Sequence, residues 1–312
     1  MSRFVIGADV GGTTVKIGVF TTEGSLVEKW EIPTDISNSG EAVLPDIAAS
    51  CESYIMRNGL AKSDFGGIGM GLPGPVDSDG HVEKCVNIGW GKKDVAGEME
   101  ALLGIPAFAG NDANVAALGE MWQGSGKGMK NIVMVTLGTG VGGGVIVNEK
   151  IVSGFHGYGG EIGHMKVNIH EKERCGCGGC GCLEQYCSAT GIVNETLKAL
   201  SRTSEETSLR SISPLSCRDI FNEAKSGDEF ALRQVEIFAD RLARGLSLIS
   251  CVTDPEEFII GGGVSRAGQI IPDLVAKNFG KYVFGGQKKT RFTLAVLGND
   301  AGIYGAARLV MK

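Results

Sequence analysis

The sequence contains one local pattern twice: a strand that ends in glycines and is followed at once by a second strand. The first copy reads "RFVIGADVGG" and "TTVKIGVFT", and the second, from Asn131, reads "NIVMVTLGTG" and "VGGGVIVN". The alternation of Val15, Ile17 and Val19 is typical of a half-buried strand. Between and after the two copies strands alternate with helices, which indicates an α/β fold. The sequence therefore predicts two related α/β domains with a central cleft.

The domain boundaries are predicted from the place where this pattern restarts. A smaller first domain is expected over residues 1–118, completed by a C-terminal helix at 299–312. A larger second domain is expected over residues 119–298 and contains the later glycine-rich segments.

Composition excludes several classes of protein. The net charge is −6 and the lysines and arginines are scattered, so no basic surface for nucleic acid is expected. No stretch approaches the ~20 apolar residues that cross a bilayer. The N-terminal segment is too short and polar for a signal peptide. We therefore expect a cytoplasmic protein that binds neither nucleic acid nor membranes.

Glycine is the residue type in greatest excess, with 49 of 312 residues. The excess is clustered, and backbone N–H groups exposed by glycine bind phosphates well. Three segments fit, "DVGGTTVK", "TLGTGVGGG" and "IIGGGVS". None is a Walker A loop or a good Rossmann fingerprint, and each alone is also compatible with a plain hairpin turn. The candidate phosphate-binding residues are Gly11, Gly12, Thr13, Thr14, Lys16, Gly138, Thr139, Gly140, Gly261, Gly262 and Gly263.

A dense cysteine cluster, "CGCGGCGCLE", follows the motif "GGEIGH". Three thiolates, from Cys175, Cys177 and Cys182, with the imidazole of His164 form the ligand pattern of a closed, tetrahedral, structural zinc site. Cys180 is left outside the predicted ligand set. Two alternatives are free reduced thiols and a redox pair of Cys177 with Cys180, although no thioredoxin-like context surrounds that pair.

Two aspartates follow strands at candidate sites. Asp112, after Asn111 in "GNDANVAALGE", opens a helix and is compatible with a helix N-cap or with a role in chemistry. Asp9 ends the first strand, where a carboxylate can hold Mg²⁺ directly or through water. An Asx-type turn is the alternative for Asp9.

These motifs closely resemble those of the ROK family of repressors and sugar kinases. The glycine segments have the order found in the actin-like (ribonuclease H-like) ATPase and sugar kinase fold, which the resemblance implies here. The spacing C-x-C-G-x-x-G-C-x-E fits Cys175 to Glu184, and the resemblance runs from Phe4 to the C-terminus. The segment "SATGIV" after the cluster is similar to the glucokinase branch of the family.

The resemblance implies transfer of a phosphoryl group from ATP, with Mg²⁺, to the 6-hydroxyl of glucose. It implies that Asp112 is the base that takes the proton from the sugar hydroxyl. Further sugar contacts are expected from Gly74, Asn111, Glu161, His164 and Glu184, although a plain turn explains Gly74 equally well. ATP is expected on the glycine segments and Asp9. We hypothesise that the zinc ion fixes Glu161 and Glu184 and thereby shapes the sugar pocket.

Other functions within the family stay open at this point. Kinases for N-acetylmannosamine, fructose, mannose or allose differ from glucose kinases by few pocket side chains. A sugar-responsive repressor is expected to carry a DNA-binding module before the first glycine segment, and here the first strand starts at Phe4. Family members are commonly homodimers or homotetramers, so the same is expected of this chain.

Overall fold

The computed structural model describes residues 2–311. Up to residue 151 the elements are β1 Phe4–Val10, β2 Thr14–Thr21, β3 Leu26–Pro33, α1 Val43–Arg57, β4 Phe65–Leu72, β5 His81–Val82, β6 Lys93–Asp94, α2 Val95–Leu103, β7 Ala107–Asn111, α3 Asp112–Gln123, β8 Ile132–Leu137, β9 Val141–Val147 and β10 Lys150–Ile151. The rest are α4 Glu184–Cys187, α5 Ala189–Leu200, α6 Cys217–Lys225, α7 Glu229–Thr253, β11 Glu257–Gly261, α8 Ile270–Phe279, β12 Arg291–Leu294 and α9 Ala301–Leu309.

The chain divides into two compact units. Unit 1 comprises residues 1–130, 144–160 and 296–312, and unit 2 comprises residues 131–143 and 161–295. This division differs from the predicted domains, 1–118 with 299–312 and 119–298. A boundary at residue 118 would cut α3, which is continuous and packs along α9. Residues 144–160 belong to unit 1 because Gly144 packs on α3, where a Cβ would lie 2.5 Å from the Ala117 Cβ.

Unit 1 contains a five-stranded sheet with strand order β3-β2-β1-β4-β7. Strands β1, β4 and β7 are parallel, and β2 and β3 are antiparallel to their neighbours. The register pairs Asp9 with Gly71 and Leu72 with Asn111. The carboxyl ends of the three parallel strands therefore meet at one edge, the edge at which ligands bind in α/β sheets.

Both faces of this sheet are buried, and side chains alternate between them along each strand. Alternate residues of β1 and β2 join α1 and α2 in one apolar core, namely Ile6, Ala8, Val10, Val15, Ile17 and Val19. The opposite face carries Val5 and Phe20, which pack against Ile303 and Ala307 of α9. The C-terminal helix is thus part of the core of unit 1.

Glycines allow α9 to lie directly on the sheet. A Cβ at Gly7 would lie 2.0 Å from the carbonyl oxygen of Ile303, and one at Gly69 would lie 1.8 Å from that of Ala306. No Cβ tolerates such distances, so part of the glycine excess serves packing rather than ligand binding.

The same close approach joins α9 to α3, and it predicts an effect on stability. Gly305→Ala places a Cβ 1.6 Å from the carbonyl oxygen of Val115, so the two helices must separate. An exposed helical site would gain up to ~1 kcal/mol from this change, but overpacking typically costs about 1–3 kcal/mol or more. We expect a loss of about 3 kcal/mol in denaturant unfolding. Gly91→Ala, with no atom within 4 Å of the new Cβ, is the control. Equal stability of the two variants would contradict this packing.

Strands β8, β11 and β12 of unit 2 are parallel. They belong to a second sheet with order β10-β9-β8-β11-β12. Thr136 pairs with Gly261, so the glycine segments after β8 and β11 leave the sheet at the same edge. The longest helix, α7, packs against α6 and α8. From residue 2 to residue 311, no helix is long and apolar enough to span a bilayer.

Candidate functional site

Asp112 occupies the first position of α3, directly after β7. The N-cap is Asn111, whose Oδ1 accepts hydrogen bonds from the N–H groups of Ala113 at 3.1 Å and Asn114 at 3.2 Å. Asn111, rather than Asp112, therefore caps the N-terminus of α3. The Oδ1 of Asp112 accepts from the Ala113 N–H at 2.7 Å and from the Asn111 Nδ2 at 3.1 Å. These donors, at the positive end of a helix, orient the carboxylate and stabilise its charge.

Asn111 also fixes the segment that contains Gly74. Its Nδ2 donates to the carbonyl oxygen of Gly74 at 3.1 Å. A Cβ at Gly74 would lie 2.9 Å from the carbonyl oxygen of Lys84, so only glycine fits this close turn. The structure thus brings Gly74, Asn111 and Asp112 together at the carboxyl edge of the unit 1 sheet.

Asp9 lies at the same edge, at the end of β1. Helix α9 covers it so closely that a Cβ at Gly302 would lie 2.6 Å from the Asp9 Oδ2. Burial raises the pKa of Asp9 to about 6; the Lys16 ammonium opposes this rise and the Asp112 charge adds to it. A bound cation would favour the ionised form of this carboxylate.

The first glycine segment forms a tight turn between β1 and β2. The Gly11 N–H donates to the Thr14 carbonyl oxygen at 3.0 Å, and Gly12 and Thr13 are exposed. Thr34, at the end of β3, braces the turn through its N–H, which donates to Thr13, and its hydroxyl, which donates 2.7 Å to the Gly11 carbonyl. Thr34 was not among the predicted residues, because it lies far from the glycine segment along the chain. The exposed N–H groups are available to a phosphate.

The second and third glycine segments line one cavity of about 410 Å³ in unit 2. Gly138 and Thr139 lie on one side of it, and Gly263 lies on another. A further wall comes from α6 with the ring of Phe221, which is buried to 2% exposure. The lining also includes three basic side chains, Arg218, Lys225 and Arg266. An apolar wall beside basic groups suits the base and phosphates of a nucleotide.

Helix α6 was not predicted from the sequence, although one signal for it is present. Ser216 and Asp219 form a reciprocal capping box at its start, the local pattern that marks a helix N-terminus. Three of the predicted glycines in these two segments do not line the cavity, namely Gly140, Gly261 and Gly262. Gly261 is buried within β11, and Gly262 has a φ of +83°, with a Cβ position 2.5 Å from the Leu137 carbonyl oxygen.

Four side chains predicted as metal ligands converge in unit 2. One ligand atom from each of His164, Cys175, Cys177 and Cys182 lies within 4.8 Å of every other. The Sγ atoms of Cys177 and Cys182 are 3.6 Å apart, and the Cys175 Sγ is 3.9 Å from the His164 Nδ1. A tetrahedral ion with ~2.3 Å bonds to sulfur places its ligands roughly 3.8 Å apart. The residues present therefore fit a metal ion with thiolate and imidazole ligands.

The cysteine loop is shaped for this convergence. Gly181 has a φ of +72°, and its Cβ would lie 1.9 Å from the carbonyl oxygen of Asn168. Lys166 donates from Nζ to the Cys182 Sγ at 2.8 Å and can offset the negative charge of three thiolates. Cys180, outside the four-residue set, lies with its Sγ 3.7 Å from the Lys172 carbonyl oxygen.

Two carboxylates adjoin the metal cluster. The His164 Nδ1 faces the thiolates, while its Nε2 lies 3.9 Å from the Glu161 Oε2. Glu184 lies with Oε1 3.6 Å from the Cys175 Sγ. Its Oε2 accepts a hydrogen bond from the backbone N–H of Val141 at 3.0 Å. Glu184 thus links the cluster to the second glycine segment, a contact that spacing alone did not reveal.

This link predicts an effect of Gly140→Ala on nucleotide binding. The new Cβ would lie 2.4 Å from the Glu184 Oε2 and displace the carboxylate from the Val141 N–H. A hydrogen bond to a charged group contributes about 1.5–3 kcal/mol, so we expect a roughly tenfold weaker Kd for a non-hydrolysable ATP analogue by calorimetry. Gly280→Ala, which has open space around its Cβ, is the control. An unchanged Kd in Gly140→Ala would show that the carboxylate does not hold the segment.

Comparison with known proteins gives consistent results along the chain. A model of the ROK family matches residues 5–312. The chain is 39% identical over 315 residues to a protein of Halalkalibacterium halodurans named glucokinase, covering 99% of this chain and 96% of that protein. It is 32% identical to a protein of Vibrio parahaemolyticus named N-acetyl-D-glucosamine kinase, covering 98% of this chain and 99% of that one.

A solved structure agrees in fold. The crystal structure of a ROK family glucokinase from Streptomyces griseus in complex with glucose and AMPPNP aligns with a TM-score of 0.73 and 32% identity, covering 98% of each chain. The resemblance inferred from the motifs, and the fold that it implied, are thereby confirmed. This chain belongs to the ROK family and has its actin-like sugar kinase fold.

Proposed function

We propose that this protein transfers the γ-phosphoryl group of ATP to the 6-hydroxyl of glucose. The observation that carries the proposal is the position of Asp112 at the carboxyl edge of the unit 1 sheet. Its carboxylate is oriented there by the Ala113 N–H and the Asn111 Nδ2, and Asn111 also holds Gly74. The likeness to proteins named glucokinase over nearly the whole chain supports glucose as the acceptor.

Asp112 is proposed as the general base. Phosphoryl transfer asks little covalent chemistry of a protein, so positioning and charge stabilisation dominate. The carboxylate takes the proton of the sugar hydroxyl as the hydroxyl oxygen bonds to the γ-phosphorus, and the bond from that phosphorus to ADP breaks. Proton transfer requires a separation of ~2.6–3.2 Å between the carboxylate oxygen and the hydroxyl oxygen. Asn111 and the Gly74 backbone are proposed to hold neighbouring hydroxyls. Glu161, His164 and Glu184 are proposed as further sugar ligands.

The nucleotide is proposed to lie on the three glycine segments. Backbone N–H groups of Gly12 and Thr13 suit a phosphate. The cavity beside Gly138, Thr139 and Gly263 suits the nucleoside. Asp9 is proposed to hold Mg²⁺, which neutralises charge on the phosphate oxygens when bound. Lys16, next to Asp9 in the register of β1 and β2, adds a positive charge.

The cluster of His164, Cys175, Cys177 and Cys182 is proposed to hold a structural Zn²⁺. All four positions of a tetrahedral ion are filled by protein, so no open position exists for a substrate. Its proposed role is to fix His164 and Glu184, which lie on or beside the cluster. The carboxylate of Glu161 is then held through its approach to His164.

An ADP-release assay across hexoses and N-acetylhexosamines tests the acceptor. We expect glucose to have the highest kcat/KM. One competing function has specific support, because relatives at 32% identity are named N-acetyl-D-glucosamine kinase. A higher kcat/KM for N-acetylglucosamine would transfer the proposal to that sugar, and no activity with any sugar would reject it.

A cytoplasmic location and a homodimer or homotetramer stay predictions of the family, and light scattering measures the assembly.

A further inference from the structure

Asn114 is a buried polar side chain that the proposed chemistry does not use. It lies in the first turn of α3, two residues beyond Asp112, and is 2% exposed. Its Nδ2 donates to the carbonyl oxygen of Gly159 at 3.1 Å. Its Oδ1 is buried and has no hydrogen-bond partner within residues 2–311. A buried polar atom without a partner lowers stability, so an apolar residue would suit packing better than asparagine does.

The bond to Gly159 holds one particular segment of unit 1, residues 154–160. The Gly159 N–H donates to the Ser153 carbonyl oxygen at 2.7 Å. A Cβ at Gly159 would lie 2.0 Å from the carbonyl oxygen of Val152. A Cβ at Gly157 would lie 2.9 Å from the backbone of Val76. The segment is thus confined at two glycines.

The position of this segment in the chain gives the bond its significance. Gly159 stands two residues before Glu161, and the turn that follows carries His164. The chain also passes from unit 1 to unit 2 between residues 160 and 161. The backbone that leads into Glu161 and His164 is therefore tied, through Asn114, to the helix that carries Asp112.

We infer that Asn114 is a positioning residue for sugar phosphorylation, which holds residues 154–160, the backbone that leads into Glu161 and His164, against α3. The inference rests on the proposed function. A base and sugar ligands must act together on one substrate, and a misplacement of ~1 Å costs as much as 10²-fold in rate. A purely structural role predicts lower stability with unchanged KM and unchanged backbone exchange in residues 153–160.

The test compares Asn114→Leu with Asn278→Leu. Asn278 is a matched control on α8, 6% exposed, whose Nδ2 donates to the Leu274 carbonyl oxygen at 2.8 Å. The measurements are kcat, the KM values for glucose and ATP, and amide hydrogen exchange of residues 153–160. For Asn114→Leu we expect a roughly tenfold or larger rise in the KM for glucose and a lower kcat. Exchange in residues 153–160 becomes faster. Asn278→Leu changes unfolding but none of these quantities.

The outcomes separate this inference from the proposed function. An active wild-type protein with an unchanged KM and unchanged exchange in folded Asn114→Leu overturns the inference alone. A wild-type protein that phosphorylates no sugar overturns the proposed function. If Asn114→Leu does not fold, Asn114→Asp takes its place, because it keeps the size and removes the Nδ2 donor. The same two readouts then decide.

Discussion

Asp112→Asn is expected to lower kcat for glucose by about 10²–10⁴-fold, the range that a positioned general base contributes. The amide keeps the size of the side chain and an oxygen that can accept the N–H of Ala113, so the start of α3 stays intact. It has lost the ability to take a proton. Glucose binding should largely survive, because a hydroxyl can still hydrogen-bond to the amide. Initial rates and calorimetric titration with glucose measure the two effects separately.

A second aspartate at a helix N-terminus serves as a control for the change of charge at the start of a helix. Asp94 is the N-cap of α2 in the same unit and accepts the Gly97 N–H at 2.8 Å. Asp94→Asn should leave kcat unchanged and affect only stability, by about 1 kcal/mol or less. If Asp112→Asn retained kcat within a few-fold of wild type, Asp112 would be a structural residue and the base would have to be found elsewhere.

Loss of the metal is expected to weaken glucose binding and to destabilise unit 2. Cys182 has a fully buried side chain in the ligand set, so Cys182→Ser should abolish stoichiometric zinc. Without the ion, His164 and Glu184 lose the centre that fixes them, and we expect the KM for glucose to rise roughly tenfold or more. A structural zinc ion contributes several kcal/mol of folding energy, so Tm should fall by on the order of 10 °C.

Metal analysis, calorimetry and kinetics on one set of proteins test this prediction. Cys180→Ser is the matched control, since the Cys180 thiol belongs to the same loop but lies outside the four-residue set. It should retain one zinc ion per chain and the wild-type KM. Metal-free protein with full activity and a normal KM would reject the proposed role of the cluster.

Much of the fold was predictable because its elements have strong local signals. The strand pairs around both glycine turns, the helix that begins at Asp112 and the C-terminal helix lie where the sequence indicated them. Helix α6 was not predicted, although the capping box of Ser216 and Asp219 marks its start. The division into two compact units keeps α3 whole within unit 1 because α3 packs along α9, and such contacts between distant parts of the chain leave no local trace in the sequence.

The metal cluster and the residues around Asp112 differ in how far sequence could describe them. The ligands Cys175, Cys177 and Cys182 lie within one short loop, so their convergence follows from spacing and flexible glycines. Thr34, Asn114 and Gly302 were not predicted, since each acts through a partner distant in sequence.

Sequence alone determined the local order of the strands and glycine turns, because spacing along a short segment dictates local geometry. It also predicted the candidate metal ligands, while the role of Asp112 as base came from the family resemblance. Only the tertiary structure decided that α9 buries Asp9 and raises its pKa, that Glu184 joins the cluster to the second glycine segment, and that Asn111 rather than Asp112 caps α3. Burial and close approach depend on which distant segments pack together, and that depends on the whole fold.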